Sequence, residues 1–201
     1  MPPSAEVKQL QALIRRIEVL EEMRQAEENR LANAASEVQP SIGRMIHLLT
    51  EEITEFEKQI KEHTDKHPNL KEQSRLLETI PGIGKRTAHL LLSEIEFERY
   101  SSARSIAAQA GVTPRKRQSG TSLKQTSLSK LGNARLRKEL YFPAIVARQH
   151  NEIVKEFANR LKKKGKTPMQ IVCAAMRKLL HIAFGVLKHK QPFDSSLAFS
   201  A

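Results

Sequence analysis

The apolar residues between positions 42 and 60 recur at alternating steps of four and three residues. On an α-helix this spacing places one apolar side chain per turn along a narrow line, whereas the side chains of a strand repeat every two residues. The pattern therefore predicts a long helix with a coiled-coil seam, formed by Ile42, Ile46, Leu49, Ile53, Phe56 and Ile60. Such a seam needs a partner helix, either from the same chain or from a second subunit, and the sequence favours neither.

A first helix is predicted before this seam. Ser4 is a suitable N-cap, and apolar residues at helical spacing follow it, so we expect a helix that ends near Ser36. Pro40 then interrupts the pattern, and Ser41 is positioned to cap the second helix. The two helices are long enough to form a hairpin.

Helical periodicity also accounts for most of the chain after Pro68. No stretch shows the sustained alternation that is typical of strands. The predicted fold class is all-α. The predicted domains are a coiled-coil helical hairpin over residues 1–67, a helical domain with a helix-hairpin-helix over residues 68–194, and a tail over residues 195–201.

Basic residues are concentrated in the second half of the chain. The formal net charge is +12, but residues 1–98 hold 13 basic and 18 acidic side chains, whereas residues 99–201 hold 21 basic and 4 acidic ones. Between Arg99 and Lys138 there is no carboxylate. A surface that meets only water usually mixes both signs, so this half is predicted to bind a polyanion, and DNA is the expected partner.

The composition argues against membrane and disulfide-stabilised classes. No segment approaches an uninterrupted apolar span of ~20 residues, and no signal peptide opens the chain, so we expect a cytoplasmic protein that does not enter a membrane. The single cysteine, Cys173, lies in a helical pattern among apolar neighbours and is expected to pack in the core.

The segment PGIG at residues 81–84 joins two predicted helices. This pattern is typical of a helix-hairpin-helix, because glycines allow close backbone approach and the amides at the start of the second helix favour a phosphate. Lys85 and Arg86 follow directly. We predict that Gly82, Gly84, Lys85 and Arg86 contact the DNA backbone. The alternative is a tight turn whose glycines serve only as caps.

Residues 112–124 hold four basic residues and no acidic one. Pro114 and Gly120 indicate a loop. The groups that such a loop would present together belong to Arg115, Lys116, Arg117, Ser119, Thr121 and Ser122. These groups suit a phosphate, because guanidinium groups bind its oxygens bidentately and a serine hydroxyl acts as a hydrogen-bond partner or as a nucleophile.

Further basic residues follow this segment. Asn133 is predicted to cap a helix that carries Arg135 and Arg137 in its first turns, and Lys130 precedes the cap. Basic residues at a helix start oppose the helix dipole, which suggests that a bound anion offsets this cost. We therefore add Lys130, Arg135 and Arg137 to the predicted DNA contacts. Exposed arginines without a ligand are the alternative.

Five motifs, in this order, resemble a known family of proteins. They are Pro81-Gly-Ile-Gly, Ala110-Gly-Val-Thr-Pro, Arg117-Gln-Ser-Gly, Lys130-Leu-Gly-Asn-Ala-Arg-Leu-Arg and Ala175-Met-Arg-Lys-Leu-Leu. Together they resemble the C-terminal half of bacterial insertion-sequence transposases of the IS-one-ten family. The resemblance extends back to Leu10-Gln-Ala-Leu and Glu28-Asn-Arg-Leu, and so covers nearly the whole chain.

The resemblance implies a reaction and several partners. In this family an N-terminal RuvC-like domain with four metal-binding acids is joined by a coiled coil to a transposase domain with a nucleophilic serine, and a structured RNA guides the protein. The match places the nucleophile at Ser119, which would attack a DNA phosphodiester and hold a phosphoserine link until a 3′-hydroxyl displaces it. A homo-oligomer is expected, because strand exchange needs at least two active centres.

The chain opens about where the coiled coil of the family begins. The Mg²⁺ that the resemblance implies is therefore expected to be held by a RuvC-like domain outside this chain, with no metal ligand or cofactor in the chain itself. Nothing within residues 112–124 supplies a base for the serine.

Three interpretations stay open. The first is a serine-nucleophile transposase, and the second is a truncated, catalytically inactive helix-hairpin-helix module that binds DNA. A third and less favoured one places the nucleophile at Tyr141, although the adjacent Phe142 and Pro143 indicate a packing role.

Overall fold

The computed structural model of the protein describes residues 3–119, 123–129 and 131–196, and for residues 115–119 and 123–127 it describes the backbone alone. The chain divides into two compact units, Met1–Lys71 and Glu72–Ala201. The sequence analysis expected a domain boundary after residue 67.

The first unit is built on two long helices, α1 (Ala5–Leu31) and α2 (Gln39–Lys66). They pack against each other in antiparallel orientation. The Nε2 atom of His63, near the end of α2, lies 2.9 Å from the carbonyl oxygen of Glu6, at the start of α1. Ser4 caps α1 as predicted, because its hydroxyl accepts a backbone hydrogen bond at 3.3 Å.

The predicted seam of α2 is buried over part of its length. Its buried members are Leu49, Ile53 and Ile60, whereas Ile42, Ile46 and Phe56 are half-buried. The buried side chains of α1 are Leu10, Ile14, Ile17 and Leu20. Pairing of the two helices within one chain therefore covers the C-terminal part of the seam more completely than the N-terminal part.

The second helix begins earlier than predicted. Val38 is the N-cap residue and Pro40 lies in the first turn, where the missing N–H of proline is not needed. The prediction that Pro40 interrupts the helices and that Ser41 caps α2 is therefore wrong.

The second unit is helical apart from one short hairpin. A third helix, α3 (Pro68–Glu78), spans the boundary between the units. It is followed by α4 (Lys85–Glu94), a 3-10 turn (Phe97–Arg99), α5 (Ala103–Gln109), α6 (Ala134–Glu139), α7 (Tyr141–His150), α8 (Glu152–Lys163) and α9 (Pro168–His189). Helix α9 packs against α5, α7 and α8 and forms the centre of the core. The predicted all-α class is confirmed.

The hairpin is the part of the fold that the sequence analysis did not predict. Strands β1 (Pro114–Ser119) and β2 (Leu123–Leu128) pair antiparallel, from Pro114 opposite Leu128 to Ser119 opposite Leu123. The prediction of a loop over residues 112–124 is therefore wrong. Strands are recognised in a sequence by the alternation that one buried sheet face imposes, and a two-stranded ribbon held by backbone hydrogen bonds does not need such a face.

Side-chain caps open several helices of the second unit, and the cap at Asn133 was predicted. The Oδ1 atoms of Asn133 and Asn151 each accept a hydrogen bond from the N–H three residues later, at 3.1 and 3.2 Å. Thr167 opens α9 with a capping box, in which Thr167 and Gln170 satisfy each other's backbone N–H groups. Local side-chain chemistry thus fixes where these helices start.

Among the described residues, α9 is also the helix whose length and composition would suit a membrane span, with a mean hydropathy of 1.4 over 18 residues. Half of that window is buried inside the protein, and Arg177 and Lys178 interrupt the helix. These are the properties of a core helix.

We expect Asn151→Ala to destabilise the second unit. The Asn151 side chain is fully buried, caps α8, and donates from Nδ2 to the carbonyl oxygen of Pro81 at 3.3 Å. Loss of the cap and of this donor should together lower the free energy of unfolding by ~2–4 kcal/mol in urea titrations followed by circular dichroism. Asn159→Ala, at an exposed position of the same helix, should change it by less than ~0.5 kcal/mol. Equal stability of the two variants would contradict this role of Asn151.

Candidate nucleic-acid interface

Residues 79–84 connect α3 to α4 in the tight turn that the PGIG sequence predicts. The N–H of Ile83 donates to the carbonyl oxygen of Ile80 at 2.9 Å and closes the turn. Both isoleucine side chains are buried. Gly82 has a φ of +104°, a conformation that glycine adopts without strain. The turn is therefore held on the core by its apolar residues and shaped by Gly82.

Gly82 lies directly against α7. A Cβ atom at Gly82 would stand 2.7 Å from the Cβ of Ala147, closer than side chains approach each other. On the same side, Asn151 donates its hydrogen bond to Pro81. Helices α7 and α8 thus fix the turn, and Gly82 is required for this packing. A contact of Gly82 with DNA stays a prediction.

Gly84 differs from Gly82 in conformation and surroundings. Its backbone is extended, with φ −91° and ψ 175°, and no atom lies within 4 Å of the position of its missing Cβ. It is the N-cap of α4, which no side chain caps. Lys85 and Arg86 follow it and are exposed. An uncapped helix start in open space, with basic residues beside it, suits a phosphate oxygen.

His89 lies on α4, one turn after Lys85. Burial lowers the pKa of His89, the Glu78 carboxylate raises it and the Lys85 ammonium lowers it, and the net direction is downward. The imidazole is therefore neutral near pH 7. The positive charge at this helix start comes from Lys85 and Arg86, so phosphate binding there should not depend on pH between about 7 and 8.

The base of the β1–β2 hairpin is fixed by backbone contacts to the neighbouring helices. The N–H of Asn133 donates to Gln109 O at 2.7 Å, and the N–H of Ser129 donates to Thr113 O at 2.9 Å. Gly132, with φ +130°, brings these segments together, since a Cβ there would lie 2.2 Å from Gln109 O. The chain therefore enters and leaves the hairpin through one tightly packed crossing.

Arg137 packs on this crossing. Its Nη1 atom donates to the carbonyl oxygen of Ala110 at 3.3 Å. A Cβ at Gly111 would stand 2.5 Å from the same nitrogen, so the guanidinium lies against the backbone. This contact helps to orient the hairpin. A contact of Arg137 with DNA stays a prediction.

Arg135 is engaged by a buried acid. Its Nη1 lies 3.2 Å from Oε1 of Glu94, and Nδ2 of Asn133 donates to Oε2 of the same carboxylate at 2.6 Å. The Glu94 side chain is only 5% exposed. These contacts join the end of α4 to the start of α6. A phosphate that binds Arg135, as the sequence analysis predicts, would have to compete with Glu94.

The basic residues 115–117 and Ser119 belong to β1. Ser119 forms the last strand pair, with Leu123. Ser119 lies five positions after Pro114, which is at the base of the hairpin. Along an extended strand this corresponds to a distance of ~17 Å. The structure therefore places the backbone of Ser119 at the far end of the hairpin. The singled-out residues that lie outside the described part of the chain are Gly120, Thr121, Ser122 and Lys130.

Tyr141 is the first residue of α7 and is half-buried. Its ring meets the ring of Phe142 edge-on, with centroids 5.5 Å apart and an interplanar angle of 83°. This is a packing contact between aromatic rings.

The sequence analysis missed several residues that position the site. Glu94 gave no signal beyond a single acid at the end of an apolar helix. Asn151, the hydrogen-bond partner of the turn, was not among the predicted site residues. Gly111 and Gly132 were recognised only within motifs. Their positive φ values, +66° and +130°, belong to the crossing of two segments, which sequence spacing does not reveal.

Comparisons with known proteins identify the family of this part of the chain. Residues 74–159 match the model of a family described as "Transposase IS116/IS110/IS902 family". The matched residues include the turn at 79–84, both strands of the hairpin, α6 and α7.

Individual relatives give the same result. The "Pilin gene-inverting protein" of Moraxella bovis is 40% identical over 151 residues, which cover 74% of this chain and 47% of the relative. The "Transposase for insertion sequence element IS1328" of Yersinia enterocolitica is 32% identical over 143 residues, covering 69% of this chain and 41% of the relative. An "Insertion element IS110 uncharacterized 43.6 kDa protein" of Streptomyces coelicolor is 26% identical over 161 residues, covering 80% and 39%.

The basic hairpin and the turn, within the matched residues, define a transposase domain. The chain belongs to the IS110 (IS-one-ten) family of transposases, as its five motifs predicted. It spans less than half the length of each of these relatives.

We expect Gly84→Val to fold normally and to bind DNA more weakly. Valine fits the extended backbone and the open space at this position, but its branched side chain would cover the first amides of α4. Affinity for duplex DNA, measured by fluorescence anisotropy, should fall about tenfold, as expected for the loss of one charge-assisted hydrogen bond of ~1.5 kcal/mol.

Gly43→Val is the matched control, because Gly43 in α2 also has no atom within 4 Å of the added Cβ. Its DNA affinity should equal that of the unmutated chain. Gly82→Val should instead lower the melting temperature through the clash with Ala147. Equal DNA affinities of the Gly84→Val and Gly43→Val chains would remove the turn from the interface.

Proposed function

We propose that this chain binds DNA and recombines an insertion sequence by cleaving and rejoining phosphodiesters, with Ser119 as the nucleophile. The observation that carries the proposal is the position of Ser119 at the far end of a hairpin that lies within the matched transposase domain. The basic residues 115–117 precede it on the same strand. Because the base of the hairpin is fixed to α5 and α6, its end is suited to meet a DNA backbone.

The proposed chemistry is a pair of transesterifications. The Oγ atom of Ser119 forms a bond to phosphorus, and the bond from phosphorus to the 3′-oxygen breaks, so that a free 3′-hydroxyl and a phosphoserine result. A 3′-hydroxyl then attacks the same phosphorus and releases the serine. Each step exchanges one P–O bond for another and so needs no external energy source. The positive charges of residues 115–117 stabilise the extra negative charge of the pentacoordinate phosphate.

Activation of the serine is the part of the reaction that the described residues do not supply. Among residues 3–119, 123–129 and 131–196, no three His, Cys, Asp or Glu side chains are placed to hold a metal ion. The Mg²⁺ that the family resemblance implies does not fit any group of side chains described here.

Binding of DNA is proposed to use two surfaces of the second unit. The first is the start of α4, where Gly84 is open and Lys85 and Arg86 are exposed. The second is the basic hairpin. The hydrogen bond between Asn133 and Glu94 connects the elements that carry these surfaces. The two surfaces should therefore bind one DNA backbone together. Binding of this kind does not depend on the DNA sequence, and its affinity falls steeply as the salt concentration rises.

Oligomerisation through the first unit is also part of the proposal. Val19, Met23, Met45 and Leu48 are each 44–52% exposed, although they are apolar. The contact of His63 with Glu6 shows how the two antiparallel helices are aligned. In this alignment the two residues of α1 lie at the same height along the hairpin as the two residues of α2. An apolar surface of this kind marks an interaction site. A second copy is the proposed occupant, because strand exchange needs two nucleophiles.

A structured guide RNA, which rests on the family resemblance, and a cytoplasmic location, which the sequence composition predicts, complete the proposal. The positive charge of residues 99–201 suits an RNA as well as DNA, since the phosphate backbone is common to both.

A second candidate function is DNA binding without chemistry. It is favoured by the open, uncapped start of α4 beside Lys85 and Arg86, which suits a phosphate without any nucleophile. In this case the turn and the hairpin would bind DNA, and Ser119 would contribute at most a hydrogen bond. A nucleophile at Tyr141 is less favoured, because its ring packs on Phe142.

We expect Ser119→Ala to abolish covalent attachment to DNA while preserving binding. One hydroxyl hydrogen bond contributes only ~1 kcal/mol to affinity, so the dissociation constant should rise less than about tenfold. The measurement is an adduct assay on denaturing gels with end-labelled insertion-sequence DNA, with and without a RuvC-like domain added in trans.

Ser122→Ala and Tyr141→Phe are the controls, and both should retain the adduct. An adduct that survives Ser119→Ala would overturn the assignment of the nucleophile. If the unmutated chain binds DNA but forms no adduct in either condition, the second candidate function is correct.

We expect Leu48→Lys to weaken self-association without unfolding the chain. Leu48 is 52% exposed, so lysine meets water in the monomer but would place an unpaired charge in the proposed interface. Sedimentation should show a shift from oligomer to monomer. Ala12→Lys, at an exposed position of α1 outside this surface, should leave the oligomer intact. An unmutated chain that sediments as a monomer at high concentration would refute oligomerisation through the first unit.

A further inference from the structure

A cavity of about 750 Å³ opens between the base of the hairpin and helices α8 and α9, within the second unit. This volume is within the range of ~300–1,000 Å³ that is typical of ligand sites. Its walls include Val112, Pro114 and Leu128 at the hairpin base, Phe157 and Leu161 of α8, and Met169, Cys173, Ala174 and Arg177 of α9. None of the predicted DNA contacts lines it. The cavity is therefore separate from the turn and from the far end of the hairpin.

The lining combines an apolar floor with basic side chains. The apolar lining includes Phe157, Leu161, Met169 and Ala174, and the basic residues that line the cavity are Lys166, Arg177, Lys178 and His181. No carboxylate is among the lining residues. Apolar and aromatic surface beside unopposed cations is the combination that binds single-stranded nucleic acid, because bases stack and phosphates pair with the cations.

Two buried nitrogen atoms of the lining have no hydrogen-bond partner among the described residues. They are Nε of Arg177 and Nε2 of His181, one helical turn apart on α9. Buried polar groups in folded proteins normally have partners, so this pair indicates a place for an acceptor from a ligand. Burial, with Arg177, Lys178 and Arg104 nearby, lowers the pKa of His181. Its imidazole is thus neutral at pH 7 and able to hydrogen-bond a base as well as a phosphate.

We propose that this cavity binds an unpaired nucleotide of a single strand, with the base on the apolar floor and the flanking phosphates against Lys166, Arg177 and Lys178. The inference rests on the proposed function only in that the partner is a nucleic acid. A base that is paired in a duplex has its edge occupied and its faces stacked, so it does not enter. The site therefore takes a single-stranded segment of DNA or RNA, whose shared chemistry is a base between phosphates.

An apolar protein helix fits the lining less well. It would bury Arg177 and Lys178 without a counter-charge, and an uncompensated buried charge is costly. An acidic peptide would neutralise these cations but lacks a planar group for the floor, and it is therefore an arm of the test.

Cys173 allows the site to be tested directly. It is the only cysteine of the chain, it lines the cavity, and it is half-exposed. Burial raises the pKa of its thiol. Because the thiolate is the species that reacts, alkylation by iodoacetamide is carried out at alkaline pH and followed by mass spectrometry. The full chain is labelled alone and with a ten-nucleotide DNA strand, an RNA strand of the same sequence, an abasic DNA strand, a DNA duplex, or polyglutamate.

At a strand concentration ten times its dissociation constant, labelling of Cys173 should slow about tenfold, because protection follows 1 + [L]/Kd. Protection by DNA, by RNA or by both supports the site and identifies the strand that it takes. The abasic strand and the duplex should leave the rate within about twofold of the free chain. Equal protection by the abasic strand or by polyglutamate would overturn the proposal. The proposal would also be overturned if a strand that binds the chain in anisotropy measurements left the labelling rate of Cys173 unchanged.

Variants separate this site from the proposed function. Arg177→Gln and Lys178→Gln should each weaken single-strand binding severalfold, whereas Lys188→Gln, on the same helix but outside the lining, should not. Ala174→Trp, which places an indole ring where the base is proposed to lie, should remove protection by single strands and keep the binding of duplex DNA. If duplex binding is salt-dependent but single strands never protect Cys173, the cavity proposal alone fails. If the chain binds no nucleic acid, both proposals fail.

Discussion

The contact between Gly82 and Ala147 is the constraint on which the candidate interface depends. It sets the backbone of the α3–α4 turn directly against α7, at a distance that excludes any side chain at Gly82. Asn151 then holds the turn through Pro81 while it caps α8. With the turn fixed in this way, the start of α4 has one orientation, and its uncapped amides and Lys85 form a surface that does not need to be ordered by a ligand.

A chain of contacts also connects α4 to the base of the hairpin. Glu94, at the end of α4, binds both Arg135 and Asn133 at the start of α6. Asn133 in turn hydrogen-bonds Gln109, and Gly132 allows the segments around the hairpin base to cross. The proposed phosphate sites at α4 and at the hairpin are therefore connected by one continuous set of contacts. A nucleophile at the end of such a hairpin gains from this, because catalysis depends on how well the reacting groups are held.

Helix α9 connects the core with the proposed single-strand site. One side of the helix packs on α5, α7 and α8, and the other lines the cavity with Arg177, Lys178 and His181. A recombinase that acts on a duplex has to manage unpaired strands when it exchanges them. A separate cavity for an unpaired nucleotide, near the base of the hairpin rather than at its far end, would hold such a strand without occupying the position of Ser119.

The sequence by itself determined most of the helices, several of their caps and the family, although the predicted cap of α2 at Ser41 was wrong. These features are local: Ser4, Asn133, Asn151 and Thr167 cap the helices that follow them because a cap depends on only three or four residues. The tertiary structure decided which residues face a ligand. Gly82 and Gly84 are equivalent in the PGIG sequence, yet one packs on Ala147 and the other faces open space. In the sequence, Arg135 and Lys85 are both basic residues at a helix start, but Arg135 forms an ion pair with Glu94. The hairpin was missed because strand prediction detects a buried face, and a two-stranded ribbon is fixed by backbone pairing and by the crossing at its base, contacts between distant residues that no local pattern records.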